Sequence, residues 1–173
     1  LDHIIILTRN PLVNVISSLT PEQAAMQFIY GESIESTGGN PEDAGKFKRE
    51  IFLDPFLTGN RLEHAMIFYE ILCRNRINCY LANTGTIGKA NSKVTLKQSL
   101  AVYHDLLRSE IAFSSESDHL GYRYPVRCSR SNPQDLTAYR LFPDKAQLRE
   151  IISGFLRGRE LFLEEFDGQY GRI

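Results

Sequence analysis

"CYLANTGTIGKANSKVTLKQSLAVYHDLL", residues 79–107, decides how the rest of the chain is read. An apolar run enters Asn83-Thr84-Gly85, a small-residue loop with Lys89 and Lys93 follows, and an amphipathic segment closes the stretch. Strand, Gly-Lys loop, helix is one way that proteins hold a nucleotide phosphate. The P-loop pattern G-x-x-x-x-G-K-[ST] does so by wrapping backbone N–H groups around the phosphate and offering a hydroxyl to magnesium. Here Gly85-Thr86-Ile87-Gly88-Lys89-Ala90 has a shorter wrap and ends in Ala. A G-x-G-x-x-G dinucleotide pattern is missing as well. On chemistry alone the loop reads as a turn.

The segment after the loop is a helix with a clear start. Thr95 and Gln98 have the spacing of a capping box. Leu96, Ser99, Leu100, Tyr103, Leu106 and Leu107 recur at helical spacing and form the apolar stripe. Ser99 is the odd member. A hydroxyl on an inward stripe needs a partner, either a carbonyl one turn back (that of Thr95) or a ligand.

Toward the N-terminus, "HIIILT" (3–8) is a short apolar run expected of a buried strand. "LTPEQAAMQFIYG" predicts a helix capped by Thr20, with Pro21 at its first position, Gln23 completing a capping box and Gly31 stopping it. Residues 32–50 are polar and Gly-rich and read as a long mobile surface loop. Apolar residues at 62, 65, 66, 69, 72 and 73 mark a helix over 60–75. Ile67, Phe68 and Ile71 widen its apolar surface enough to predict that it is sandwiched. "INCYLA" (77–82) is the next strand. Past Ser109 the pattern loosens, with one strand expected in "HLGYRYPVRC" (119–128) and placed at a sheet edge by Pro125. Pro133 begins a helical turn, and Asp144 with Gln147 caps a last helix bearing Leu148, Ile151, Ile152 and Phe155. The order predicts an α/β fold, a mixed sheet flanked by helices, with residues 1–173 as a single domain.

Composition sets the outer limits. The chain has 173 residues, 42% of them hydrophobic and 24% charged, the profile of a globular protein with a proper core. Its net charge of −1 gives no field to draw nucleic acid or an anionic membrane. No apolar run approaches the roughly 20 residues that span a bilayer. Cys73, Cys79 and Cys128 lack C-x-x-C spacing and are expected to be buried free thiols in a reducing cytosol. His3, His64, His104 and His119 show no metal-ligand spacing, and no metal site is expected. The first residue is Leu1 within a strand-like run, so the chain is expected to be part of something longer.

The order "IIILT", "SLTPEQA" with "FIYG", "PF", "LANTG" and "SKVTLKQS" resembles the C-terminal part of ATP-dependent phosphoenolpyruvate carboxykinase. The likeness runs from residue 3 to about 128, with 133–166 in place of that family's closing helix. The resemblance implies the C-terminal, nucleotide-side domain of an enzyme that converts oxaloacetate and ATP to phosphoenolpyruvate, ADP and carbon dioxide in gluconeogenesis, in the cytoplasm. It implies magnesium and manganese in the full-length protein with no ligands here, and the missing N-terminal part as partner. This piece alone is expected to be inactive. By residue-wise carry-over, the family arginine that packs on adenine and ribose falls at Lys93, the aliphatic flanking the base at Val94, and a threonine reaching the base at Ser99. "NTGTIGKANSKVTLKQS" would thus be the base side of the nucleotide site. The chain departs from the family pattern after Thr8, over Glu35–Asn40, at Thr86 and at Leu100. A degenerate, non-catalytic paralogue that binds a nucleotide or a partner is the alternative.

Overall fold

The computed structural model of the chain describes residues 2–35, 41–52, 56–88 and 90–171. Strands β1 (His3–Thr8) and β2 (Ile16–Leu19) lead into helix α1 (Pro21–Tyr30). A small hairpin, β3 (Ser33–Ile34) with β4 (Phe47–Lys48), precedes α2 (Arg61–Asn75) and β5 (Asn78–Asn83). A second hairpin, β6 (Thr86–Ile87) with β7 (Ser92–Lys93), leads to α3 (Leu96–Leu107). Strands β8 (Ala112–Ser117) and β9 (Arg123–Arg127), two short 3-10 turns and the long helix α4 (Lys145–Tyr170) complete the chain.

The five-stranded sheet has the order β1-β5-β2-β9-β8. β1 runs parallel to β5, in register from His3 opposite Asn78 to Thr8 opposite Asn83, and the remaining pairings are antiparallel. Alternation along β5 sends Cys79 and Leu81 to one face and Tyr80 and Ala82 to the other. On the first face Ala24 of α1, Leu72 of α2, and Leu148 and Ile152 of α4 close the core. On the second, Val102 and Leu106 of α3 do so. The fold is the mixed α/β sheet flanked by helices that the sequence predicts.

Caps behave as their chemistry requires. Thr20 with Gln23 and Thr95 with Gln98 each form both bonds of a capping box. Asp144 accepts from the backbone N–H groups of Ala146 and Gln147.

Four expectations need correction. β9 is internal to the sheet: Pro125 is tolerated because the ladder to β2 is a single register pair, Ser18 with Arg123, and that to β8 is irregular. α2 is not sandwiched, since Met66, Ile67 and Ile71 remain exposed while Ala65 and Leu72 are buried. Of the three cysteines, all free, Cys79 is buried but Cys73 is exposed.

The fourth concerns residues 32–50, where the polar composition conceals an anchor. Glu32, 4% exposed, accepts a two-pronged bond from Arg159 of α4, at 2.9 Å from Nε and 2.7 Å from Nη2. Arg49 adds a third bond to the same carboxylate at 3.0 Å and donates to the Phe155 carbonyl. Tyr122 receives Arg159 Nη2 on its hydroxyl, and the rings of Tyr30 and Phe155 lie 4.7 and 4.8 Å from the Arg159 guanidinium carbon. These bonds and cation–π contacts pin both ends of the segment to α4. The Gly38-Gly39 centre of the expected mobile loop lies outside the described residues.

Candidate functional site

Asn83 organises the opening stretch. It is buried, and its amide nitrogen donates to the carbonyls of Asn10 (2.9 Å), Val13 (3.0 Å) and Thr86 (2.7 Å). Its Oδ1 accepts from the Gly85 N–H at 2.9 Å. One side chain thus ties the end of β5 to the loop after β1 and to the β6–β7 hairpin. Gly85 has to be glycine, because a Cβ there would lie 2.8 Å from the Cβ of Arg9. Gly88 combines φ +72° with a Cβ position 2.5 Å from that of Leu141.

Among the described residues, most backbone donors of this loop are already used. Thr84 N–H bonds to the Thr8 carbonyl, Gly88 to Pro11, Asn91 to Gly88 and Val94 to Gly85, while Thr86–Ile87 pairs with Ser92–Lys93. A phosphate cradle needs free, convergent N–H groups. The loop is a locked hairpin that shapes a wall. Lys89 lies outside the described residues.

Behind that wall is a cavity of about 490 Å³, lined by Ile5 and Leu7 of β1, Thr84, Val94, and Leu96, Ser99 and Tyr103 of α3. Val94 and Ser99, expected from the sequence to act together, share this lining. Lys93 precedes Val94, exposed on β7, and is not among the lining residues. Ser99 is 8% exposed, yet its hydroxyl has no hydrogen-bond partner among the described residues. The Thr95 carbonyl instead accepts the Ser99 backbone N–H at 3.0 Å. A hydroxyl that opens onto a cavity and is not used by the protein is available to a ligand. Burial raises the pKa of the Tyr103 phenol, so that side chain is neutral here. Among the described residues no carboxylate lines the cavity. The chemistry on offer is an apolar slot with one unclaimed hydroxyl, suited to a flat, weakly polar ring.

Sequence reading missed Ile5, Leu7, Thr84 and Tyr103. The alternation that puts residues 5 and 7 on one face of β1, and the one-turn spacing of Tyr103 from Ser99, were the available signals.

Among the described residues, His104, Asp105 and Glu110 bring possible metal-ligand atoms within 4.8 Å of one another. Arg130 already fills that place. Its Nη1 bonds to Asp105 at 2.7 Å and Glu110 at 2.6 Å, and the Ser129 and Arg130 backbone N–H groups bond to the other Asp105 oxygen. A cation and two donors saturate the carboxylate, so the group does not fit a divalent metal. Burial alone would raise the Asp105 pKa, but the bonds from Arg130 and Ser129 hold it below the usual value. Its stabilising contribution should therefore be complete above the unfolded carboxyl range and vanish as pH falls through the lower folded value. Asp105→Asn should flatten the acid limb of stability, measured as the unfolding midpoint in urea between pH 6 and pH 2; an unchanged limb would contradict this.

The geometry can be set beside known proteins. The family model described as phosphoenolpyruvate carboxykinase, of the ATP type, matches residues 1–134. This chain belongs to the phosphoenolpyruvate carboxykinase family. A curated phosphoenolpyruvate carboxykinase (ATP) of Sinorhizobium medicae is 28% identical over 171 residues, covering 88% of this chain and 31% of the relative. The enzyme of the same description from Sinorhizobium fredii is 27% identical over 166 residues, and that from Rhizobium etli 26% over 171, with the same coverage. The chain thus spans about a third of the length of these relatives. The carboxykinase match ends before α4, whose Arg159 holds Glu32. No helix among the described residues of this family member is long and apolar enough to cross a membrane.

Proposed function

We propose that this chain is the C-terminal domain of a phosphoenolpyruvate carboxykinase (ATP)-like protein and forms the base side of its nucleotide site. The observation that carries the reading is the Ser99 hydroxyl, which has no protein partner among the described residues and opens onto an apolar cavity beside Val94. Val94, Leu7 and Leu96 would pack on the faces of adenine, Ser99 would hydrogen-bond to its edge, and Lys93 would lie over the ribose from the rim. The complete protein would decarboxylate oxaloacetate and transfer the γ-phosphoryl group of ATP, with magnesium and manganese held by residues outside this chain. Its role would be gluconeogenic and cytoplasmic. The rest of that longer chain is the partner, and exposed Leu7, Leu96 and Leu100 give it an apolar rim to cover.

Calorimetric titration of ATP into the full-length protein tests the assignment. Ser99→Ala should weaken binding by about 0.5–1.5 kcal/mol, the value of one hydrogen bond. Lys93→Ala should weaken it further, and Lys93→Arg should tighten it, because a planar guanidinium stacks on a ring where an ammonium cannot. Equal affinities in all four proteins, with unchanged melting, would reject the base-side assignment.

A further inference from the structure

Arg9 is a charged side chain just past the end of β1 and has no part in the base contacts proposed above. Residues 5 and 7 of this strand face the cavity, whereas Ile6 and Thr8 turn the other way, Ile6 into the core and Thr8 to donate to the Glu32 carbonyl at 2.5 Å. Arg9 directly follows the strand, about 7 Å beyond Leu7, and continuing the alternation would turn it to the cavity side although it is not among the lining residues. The backbone there is well fixed: Thr8 accepts from the Asn10 N–H, and Asn10 from the Leu12 N–H. Arg9 packs against Gly85, the residue after cavity-lining Thr84 and the acceptor of the Val94 N–H. Its guanidinium is exposed, with no hydrogen bond or ion pair among the described residues. Lys93 stands close by, since it pairs with Thr86, the residue after Gly85.

Two exposed cations without partners among the described residues thus flank Gly85, next to cavity-lining Thr84, while the cavity lining itself is mostly apolar. The position is also the carboxyl end of the parallel β1–β5 pair, where α/β folds hold ligands. We infer that Arg9 is an anion-binding residue of this site, contacting the first phosphate of a nucleotide whose base lies against Val94 and Ser99. The inference rests on the base-side reading. It gives the chain a phosphate contact of its own, made by a side chain beside a hairpin most of whose described backbone donors are used.

Comparing adenosine with AMP separates the two claims, because only AMP carries the phosphate. Both are titrated calorimetrically into the full-length protein, as wild type, Arg9→Ala and Arg9→Lys. Wild type should favour AMP over adenosine by about threefold to tenfold, the range of a partly exposed charge-assisted bond. Arg9→Ala should abolish that preference and leave adenosine affinity unchanged, and Arg9→Lys should restore part of it. The wild-type preference should also shrink with added salt, as adenosine binding should not. Adenosine binding with the same AMP preference in Arg9→Ala overturns the role of Arg9 alone. Failure of both ligands to bind wild type overturns the base-side reading and this inference with it.

Discussion

Glu32→Ala should destabilise the protein by about 3–5 kcal/mol, the cost of leaving a buried charge without its partner. That is a large share of the roughly 5–15 kcal/mol that holds a domain together. The effect should be asymmetric. Removing Glu32 strands two guanidinium groups, Arg49 and Arg159, against the aromatic rings of Phe47, Tyr30 and Phe155. Arg159→Met should cost less, because Arg49 still neutralises Glu32 and a Met side chain fills much of the vacated apolar space. Amide exchange read along α1 and α4, together with urea unfolding, distinguishes the two variants. Equal losses would show that packing of the Arg159 stem, and not charge compensation, dominates.

Asn83→Ala should cost roughly 2–4 kcal/mol and should also weaken nucleotide binding. The substitution takes one bond each from the Asn10, Val13 and Thr86 carbonyls and from the Gly85 N–H; the bonds to Asn10 and Val13 are buried, and the Asn10 carbonyl keeps only that from the Val13 N–H. Losing the bonds frees the hairpin that carries Lys93 and Val94, so ATP affinity should fall even though Asn83 is not in the cavity lining. Asn83→Asp keeps the shape and the bond to Gly85 but turns two donors into acceptors facing carbonyls, and it should be no milder. Urea unfolding and ATP titration of both variants read the two effects. Wild-type affinity in a destabilised Asn83→Ala protein would separate the hairpin from the site.

Local chemistry made much of this legible in advance. Thr20-Pro21 with Gln23, and Thr95 with Gln98, announce α1 and α3 because a cap is a short-range event, and the structure shows both boxes closed. Ser99 was visible as a polar residue on an apolar stripe, and it stands on the cavity wall. Strands β2 and β8 were hidden by their serines. Ser17 is fully buried, but its hydroxyl is matched by Asn14, a pairing that no hydropathy pattern reveals. The Glu32–Arg159 pair joins residues 127 positions apart, and an isolated Glu and Arg in polar surroundings both read as surface. Arg9 escaped for a similar reason: its place depends on Gly85 and Thr84, which only the β1–β5 pairing brings beside it.

The central claim is that the cavity between β1 and α3 takes the base of a nucleotide. A crystal structure of the full-length protein with ATP and magnesium tests it most directly. Adenine should lie in van der Waals contact, within about 4 Å, with Val94 and Leu7. A hydrogen bond should join the ring edge to the Ser99 hydroxyl, which has no partner among the described residues. A base seated elsewhere, with the cavity filled by another segment of the protein and Ser99 bonded to that segment, would contradict it.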